Sequence, residues 1–296
     1  MADVTTPDGW TDGDVEADGV RLHYYRSGGS GRPFVVSHGI TNDGRSRIPL
    51  VEDLTDEYDV IAYDARGHGR SAAPDEQYTY ADLADDLVGL VDALELEAPV
   101  LYGHSMGGTT VATAAAREPD LPQAVVLEDP ELLGLAGDAD ADGDGDGADA
   151  GGEGDEAEPD PADDDFLNPI VERVRGRPAP SREALLETEP ELQPLLEADR
   201  ERLATLLADA FMNVDETVET LFAAERADPA AVFAAIEAPT LVLKADAAPD
   251  ARERHREAAA HLPAGRLVHV DGAGHCVLRD EPDRTLELVR EFLASH

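Results

Sequence analysis

The sequence predicts an α/β fold in which a mostly parallel sheet is flanked by helices. Three observations carry this. Short apolar runs of β type, such as Pro33 to Ser37, Tyr58 to Tyr63 and Ala98 to Tyr102, alternate with segments of helical period. Strand–helix–strand order calls for parallel pairing through right-handed crossovers. A wholly helical block, Phe166 to Glu237, interrupts the alternation before strand runs resume at Pro239.

A chain of 296 residues, 42% of them hydrophobic, suffices for one large domain with an insertion. No apolar run approaches the roughly 18–20 residues of a membrane span. The first residues, Met1 to Asp8, have neither a basic start nor an apolar signal core, so a cytoplasmic protein is expected. The single cysteine, Cys276, cannot form an internal disulfide, in keeping with that compartment. Charge is the unusual quantity: 65 acidic against 23 basic residues give a net −42, and Lys244 is the sole lysine. Self-repulsion of this size is screened at multi-molar salt, where the Debye length is ~3 Å or less. A salt-rich, halophilic cytosol is the expected setting. Nucleic acid and anionic membranes are excluded as expected partners, because both need a basic face.

In chain order, residues 1–14 are expected to be loosely attached. Val15 to Ala17 and Val20 to Arg26 read as a β-hairpin turned by Asp18-Gly19. Pro33 to Ser37 is a buried strand running into His38-Gly39-Ile40, and Ser46 to Thr55 a helix. Tyr58 to Tyr63 is a strand, followed by the loop Asp64 to Ser71, in which His68 reads as a packing residue. Leu83, Leu87, Leu90, Val91 and Leu94 give Tyr80 to Leu94 a helical spacing. Ala98 to Tyr102 and Gln123 to Leu127 are strands on either side of an Ala-rich helix, Thr109 to Arg117. Glu128-Asp129-Pro130 follows the sixth strand.

The composition then breaks. Residues 137–165 hold 14 acidic residues and no basic one, and should stay disordered. Asp138 to Asp149 opens like a D-x-D-x-D-G calcium loop. Position twelve is Asp149 rather than Glu, position eight is Gly145, and no helix flanks it, so a solvated insert is the reading adopted. Leucine-rich stripes mark the helical block, with Pro190 and Pro229 as helix starts. Pro239 to Lys244 returns to strand, Asp250 to Leu262 is helical, Arg266 to Val270 is the last strand, and Pro282 to Ala294 the closing helix. His269, inside that strand, reads as packed or surface-lying. His275 stands in a glycine-bearing loop, Asp271 to His275, after the strand.

Gly103-His104-Ser105-Met106-Gly107 reads G-x-S-x-G between a strand and a helix. A serine at so sharp a turn is exposed and strained, and the helix N-terminus behind it suits a developing negative charge. Ser105 is thus a candidate nucleophile.

With this elbow, the His38-Gly39 turn, the 64–71 loop and the placing of His275, the chain resembles the α/β-hydrolase family over Val15 to Leu133 and Pro239 to His296. The resemblance implies a core of residues 1–133 and 239–296. Residues 134–238 would be an insertion, with 166–238 a helical cap over the pocket. It implies His275 as general base and the N–H groups of Ile40 and Met106 as oxyanion hole. The usual acid position, in a loop like G-x-x-D after the seventh strand, falls on Ala248, which cannot serve. Asp129 is therefore preferred as the acid, with Asp246 as the alternative.

The implied function is a serine hydrolase cleaving a carboxylic ester, or a related acyl bond, of a small molecule through a Ser105 acyl-enzyme. It needs no metal or other cofactor. Perhydrolysis and carbon–carbon hydrolysis use the same triad. A non-catalytic binding protein on the same fold is the alternative from another class, kept by the missing acid at 248. Substrate identity and oligomeric state are not written in these motifs.

Overall fold

The computed structural model describes residues 6, 8–74, 77–133, 181–224 and 227–296. The acidic segment 137–165, with its calcium-loop-like stretch, and the start of the helical block lie outside the described residues. Eight strands, β1 (Thr11–Ala17), β2 (Val20–Arg26), β3 (Arg32–Ser37), β4 (Tyr58–Asp64), β5 (Val100–His104), β6 (Ala124–Glu128), β7 (Thr240–Lys244) and β8 (Gly265–His269), form one sheet. Its order is β1-β2-β4-β3-β5-β6-β7-β8. β1 and β2 pair antiparallel, β2 joins β4 antiparallel, and every later pairing is parallel. The α/β class and the mostly parallel sheet stand as expected.

Side-chain alternation explains the layers. Phe34, Val36, Val60, Ala62, Val100, Tyr102, Val126, Leu241 and Leu243 point into one apolar core. Val35, Ile61, Leu101, Val125, Leu127 and Val242 point into a second. A strand buried on both faces needs no polar alternation, which is why these runs are continuously apolar. Helices α1 (Gly44–Val51), α2 (Tyr80–Ala93) and α3 (Met106–Arg117) connect the first strands. Leu83, Leu87, Leu90 and Val91 of α2 close the second core, and Ile48, Leu50 and Val51 of α1 the first. Between β6 and β7 come α4 (Arg182–Thr188), α5 (Gln193–Glu197), α6 (Glu201–Met212), α7 (Thr220–Ala223) and α8 (Pro229–Ala235). Then follow α9 (Pro249–Ala259), α10 (Val277–Asp280) and α11 (Pro282–Leu293).

Four elements differ from expectation. Residues 11–14 are not loose: Thr11 to Asp14 pair with Arg26 to His23. They carry no apolar pattern because β1 is an edge strand, and Asp12 and Asp14 are held by Arg70, Arg21 and His23. Helix α3 begins at Met106, three residues before Thr109, so Gly107 and Gly108 are helical; their glycines serve close packing, not a turn. Pro190 lies in a turn, and the next helix starts at Gln193 with Pro194 in its first turn. The short helix α10 has too few residues for a periodic signal.

Candidate active site

The C-terminal ends of β5, β6, β7 and β8 lie side by side, where open α/β sheets present their ligand groups. Ser105 follows β5 directly and caps α3 with φ +53° and ψ −116°. A non-glycine residue holds such angles only where its surroundings over-determine them. The surroundings here are glycines: a Cβ on Gly103 would sit 2.2 Å from the Gly107 carbonyl oxygen, and one on Gly107 2.3 Å from that of Ser37. Ser105 N–H donates to the Glu128 carbonyl at 3.0 Å, tying the elbow to the end of β6. The serine keeps 8% exposure.

The same close approach sets the loop after β3 against the first turn of α3. His38 is buried and neutral: burial, then the neighbouring His68, pushes its pKa well below the ordinary value. Its Nδ1–H donates to the Gly39 carbonyl at 2.8 Å and its Nε2 accepts from Ala65 N–H at 3.0 Å. His68 braces the loop from outside, its ring nitrogens 2.9 Å from the Arg66 carbonyl and 2.8 Å from that of Ile40. Ile40 and Met106 are both buried at this junction.

His275, in the loop between β8 and α10, has Nδ1 2.5 Å from Asp129 Oδ2. Asp129 begins the loop after β6 with φ +41°, and its N–H donates to Leu243 on β7. Its other oxygen, Oδ1, faces Lys244 Nζ at 2.6 Å and Ala245 N–H at 3.3 Å. Burial pushes the Asp129 carboxyl up; the His275 hydrogen bond and the Lys244 ammonium outweigh it and hold the group well below the usual carboxylate range. Asp246 lies elsewhere. Its carboxylate meets Arg252 at 2.5 Å and accepts Gly272 N–H at 3.1 Å, stapling the loop after β7 to the loop after β8. Asp250 is exposed in the first turn of α9. His269, beside Lys244 on the next strand, stacks on His255.

Beneath the serine runs a buried polar network that the sequence reading missed. Glu128 Oε2 receives Arg47 of α1 at 2.5 Å and the Tyr102 hydroxyl, while Oε1 accepts Leu278 N–H at 2.7 Å. Burial raises the Glu128 carboxyl; the Arg47 charge, together with His104 and the hydrogen bonds from Tyr102 and Leu278 N–H, outweighs this and leaves it lowered. His104, driven by burial to about 3, is neutral, and its Nε2–H donates to the His275 carbonyl at 3.1 Å. Lys244, on Asp129, was also missed as a site residue; its one mark in the sequence is that it is the only lysine.

Comparison with known proteins agrees with this architecture. The alpha/beta hydrolase fold family matches residues 32–149. The chain is 42% identical over 104 residues to 2-(acetamidomethylene)succinate hydrolase of Mesorhizobium japonicum, covering 35% of this chain and 37% of that protein. It is 37% identical over 123 residues to N-formylmaleamate deformylase of Pseudomonas putida, covering 41% of this chain and 46% of that protein. These matches thus span less than half the length of either relative. The enol-lactonase of Burkholderia xenovorans LB400 superposes with a TM-score of 0.69 at 24% identity, covering 95% of this chain and 100% of that one. The chain has the α/β-hydrolase fold.

Proposed function

We propose that this chain is a serine hydrolase cleaving a carboxylic ester, or a related acyl bond, of a small molecule. The observation that carries the reading is the 2.5 Å contact between His275 Nδ1 and Asp129 Oδ2 beside a strained elbow serine. Asp129 fixes the tautomer in which Nδ1 bears the proton and Nε2 is free to act as a base. Nε2 takes the Ser105 proton as Oγ attacks the acyl carbon. The oxyanion is received by the N–H groups of Ile40 and Met106, a pair supported by the close approach of Gly107 to the Ser37 carbonyl. Loss of one such donor costs ~10²–10³ in rate. The imidazolium then protonates the leaving group, and water repeats the steps in reverse order on the acyl-enzyme.

The relatives named above favour acyl chemistry: one is a deformylase and one structural neighbour a lactonase. Perhydrolysis and carbon–carbon hydrolysis by the same triad are the neighbouring readings. The non-catalytic alternative drew on the missing acid at 248, and Asp129 offers the orienting carboxylate without it. Helices α4 to α8 are read as part of a cap over the pocket. A salt-rich cytosol is the proposed setting, supported by the net charge of −42.

The test is labelling with a fluorophosphonate probe in about 3 M KCl, where surface repulsion is screened. Wild type should label and Ser105→Ala should not. A folded wild type that takes no label would overturn the reading.

A further inference from the structure

Lys244 is the residue at this site that the serine–histidine–aspartate chemistry does not itself require. It ends β7 and is 3% exposed, with its Nζ 2.6 Å from Asp129 Oδ1. Among 23 basic residues it is the only lysine, so the one compact ammonium of the chain is spent beneath the candidate triad. A guanidinium would present a planar fork to the carboxylate; an ammonium occupies one corner as a point charge and leaves the far oxygen to another donor. That far oxygen is the one against His275.

We propose that Lys244 is a positioning residue for the Asp129–His275 pair: it turns the carboxylate edge-on to the imidazole and balances its charge. This rests on the serine-hydrolase reading above. Two consequences follow from one contact. Held from one side by Lys244 and Ala245 N–H, the Asp129 carboxylate cannot rotate away from Nδ1. A carboxylate with a cation on its back also stabilises an imidazolium less than a lone buried carboxylate would.

The other charged groups nearby leave this balance to Lys244. His104 on β5 is neutral and Glu128 on β6 is matched by Arg47. On β8, burial and the charge of Arg252 on α9 lower His269, keeping that imidazole neutral beside His255. Arg279 of α10 is engaged by Asp280, while Cys276 is held up near 12 by burial and stays a thiol.

The test is the pH profile of kcat/KM for a chromogenic ester in about 3 M KCl, on wild type, Lys244→Met and Lys244→Arg. Lys244→Met should move the acidic limb up by about one pH unit and lower kcat by roughly 10–100-fold through the loosened carboxylate. Lys244→Arg restores the charge and should return the limb to the wild-type position. Lys244→Met leaves Asp129 as an unpaired buried charge, so it is also made in the Asp129→Asn background, where that charge is absent. There Lys244→Met should cost nothing further, because its effect runs through Asp129. A Lys244→Met limb at the wild-type pH, an Arg variant shifted as far as the Met variant, or an undiminished loss in the Asp129→Asn background would each overturn the proposal. Failure of the serine-hydrolase reading is distinguished by a wild type that neither labels with fluorophosphonate nor turns over ester, which removes both.

Discussion

Replacing Asp129 by asparagine tests the candidate site at the level of a single proton. Oδ1 of Asp129 faces two donors, the Lys244 ammonium at 2.6 Å and Ala245 N–H at 3.3 Å, and Oδ2 faces one, His275 Nδ1–H at 2.5 Å. Asparagine has one oxygen and one NH₂ group to divide between these places. The oxygen takes the side with two donors, one of them charged, and the NH₂ turns to His275. Nδ1 must then accept, and the imidazole proton moves to Nε2, the nitrogen that has to take a proton from Ser105. The geometry survives and the base is lost. A wrong tautomer of this kind lowers turnover by ~10⁴, or about 5.4 kcal/mol of activation free energy. The assay is steady-state hydrolysis of a chromogenic ester in about 3 M KCl, with circular dichroism to show the fold intact. Asp246→Asn is the matched comparison: its carboxylate holds Arg252 and Gly272 N–H between two loops, so turnover should stay within a few-fold of wild type. If Asp129→Asn retained turnover within about tenfold of wild type, the tautomer argument and the choice of acid would both be refuted.

The strained serine and the surface charge yield two further expectations. With φ +53° and ψ −116°, residue 105 stores about 1–3 kcal/mol in any side-chain-bearing residue. Glycine escapes that strain but loses about 0.5–1 kcal/mol in chain entropy, so Ser105→Gly should be about 1 kcal/mol more stable to urea than Ser105→Ala; a glycine variant less stable than the alanine variant would mean the elbow stores nothing. Lowering KCl from about 3 M to about 0.1 M lengthens the Debye length to ~10 Å, and a chain of net charge −42 should lose thermal stability as it does. A midpoint independent of salt would remove the salt-adapted reading.

What could be read from the sequence follows the range of the interactions involved. The sheet was legible because strands buried on both faces are written as continuous apolar runs, and the elbow because a strand-to-helix turn of this kind needs its glycines in one short stretch, Gly103 against the Gly107 carbonyl and Gly107 against that of Ser37. His275 was singled out by its loop alone. The carboxylate facing it was harder, since Asp129 and Asp246 both follow adjacent parallel strands at the same end of the sheet. What separates them is cross-strand contact: Asp129 is buried against Lys244, while Asp246 is drawn off by Arg252 and Gly272. Neither partner is marked by spacing. The Arg47–Glu128 pair, 81 residues apart in the chain, carries no local signal at all.

That pair also accounts for how four segments keep one geometry at the site. A buried ion pair is poor as a source of stability, since an apolar replacement of similar volume often does as well or better. Its value is in fixing an arrangement, and Glu128 is placed to do so twice. Its backbone carbonyl receives Ser105 N–H, and its carboxylate receives Leu278 N–H, three residues beyond His275. Arg47 anchors the other end in α1, just after the loop that carries Ile40, and Tyr102 joins from β5. One residue, immediately before Asp129, thus ties the segments bearing Ser105 and His275 and helix α1 to the strand that leads into Asp129. An apolar residue could fill the same volume, but it could not accept a hydrogen bond from the His275 loop. The position of that loop would then be left to its own flexible backbone, where a displacement of about 1 Å is enough to cost ~10² in rate.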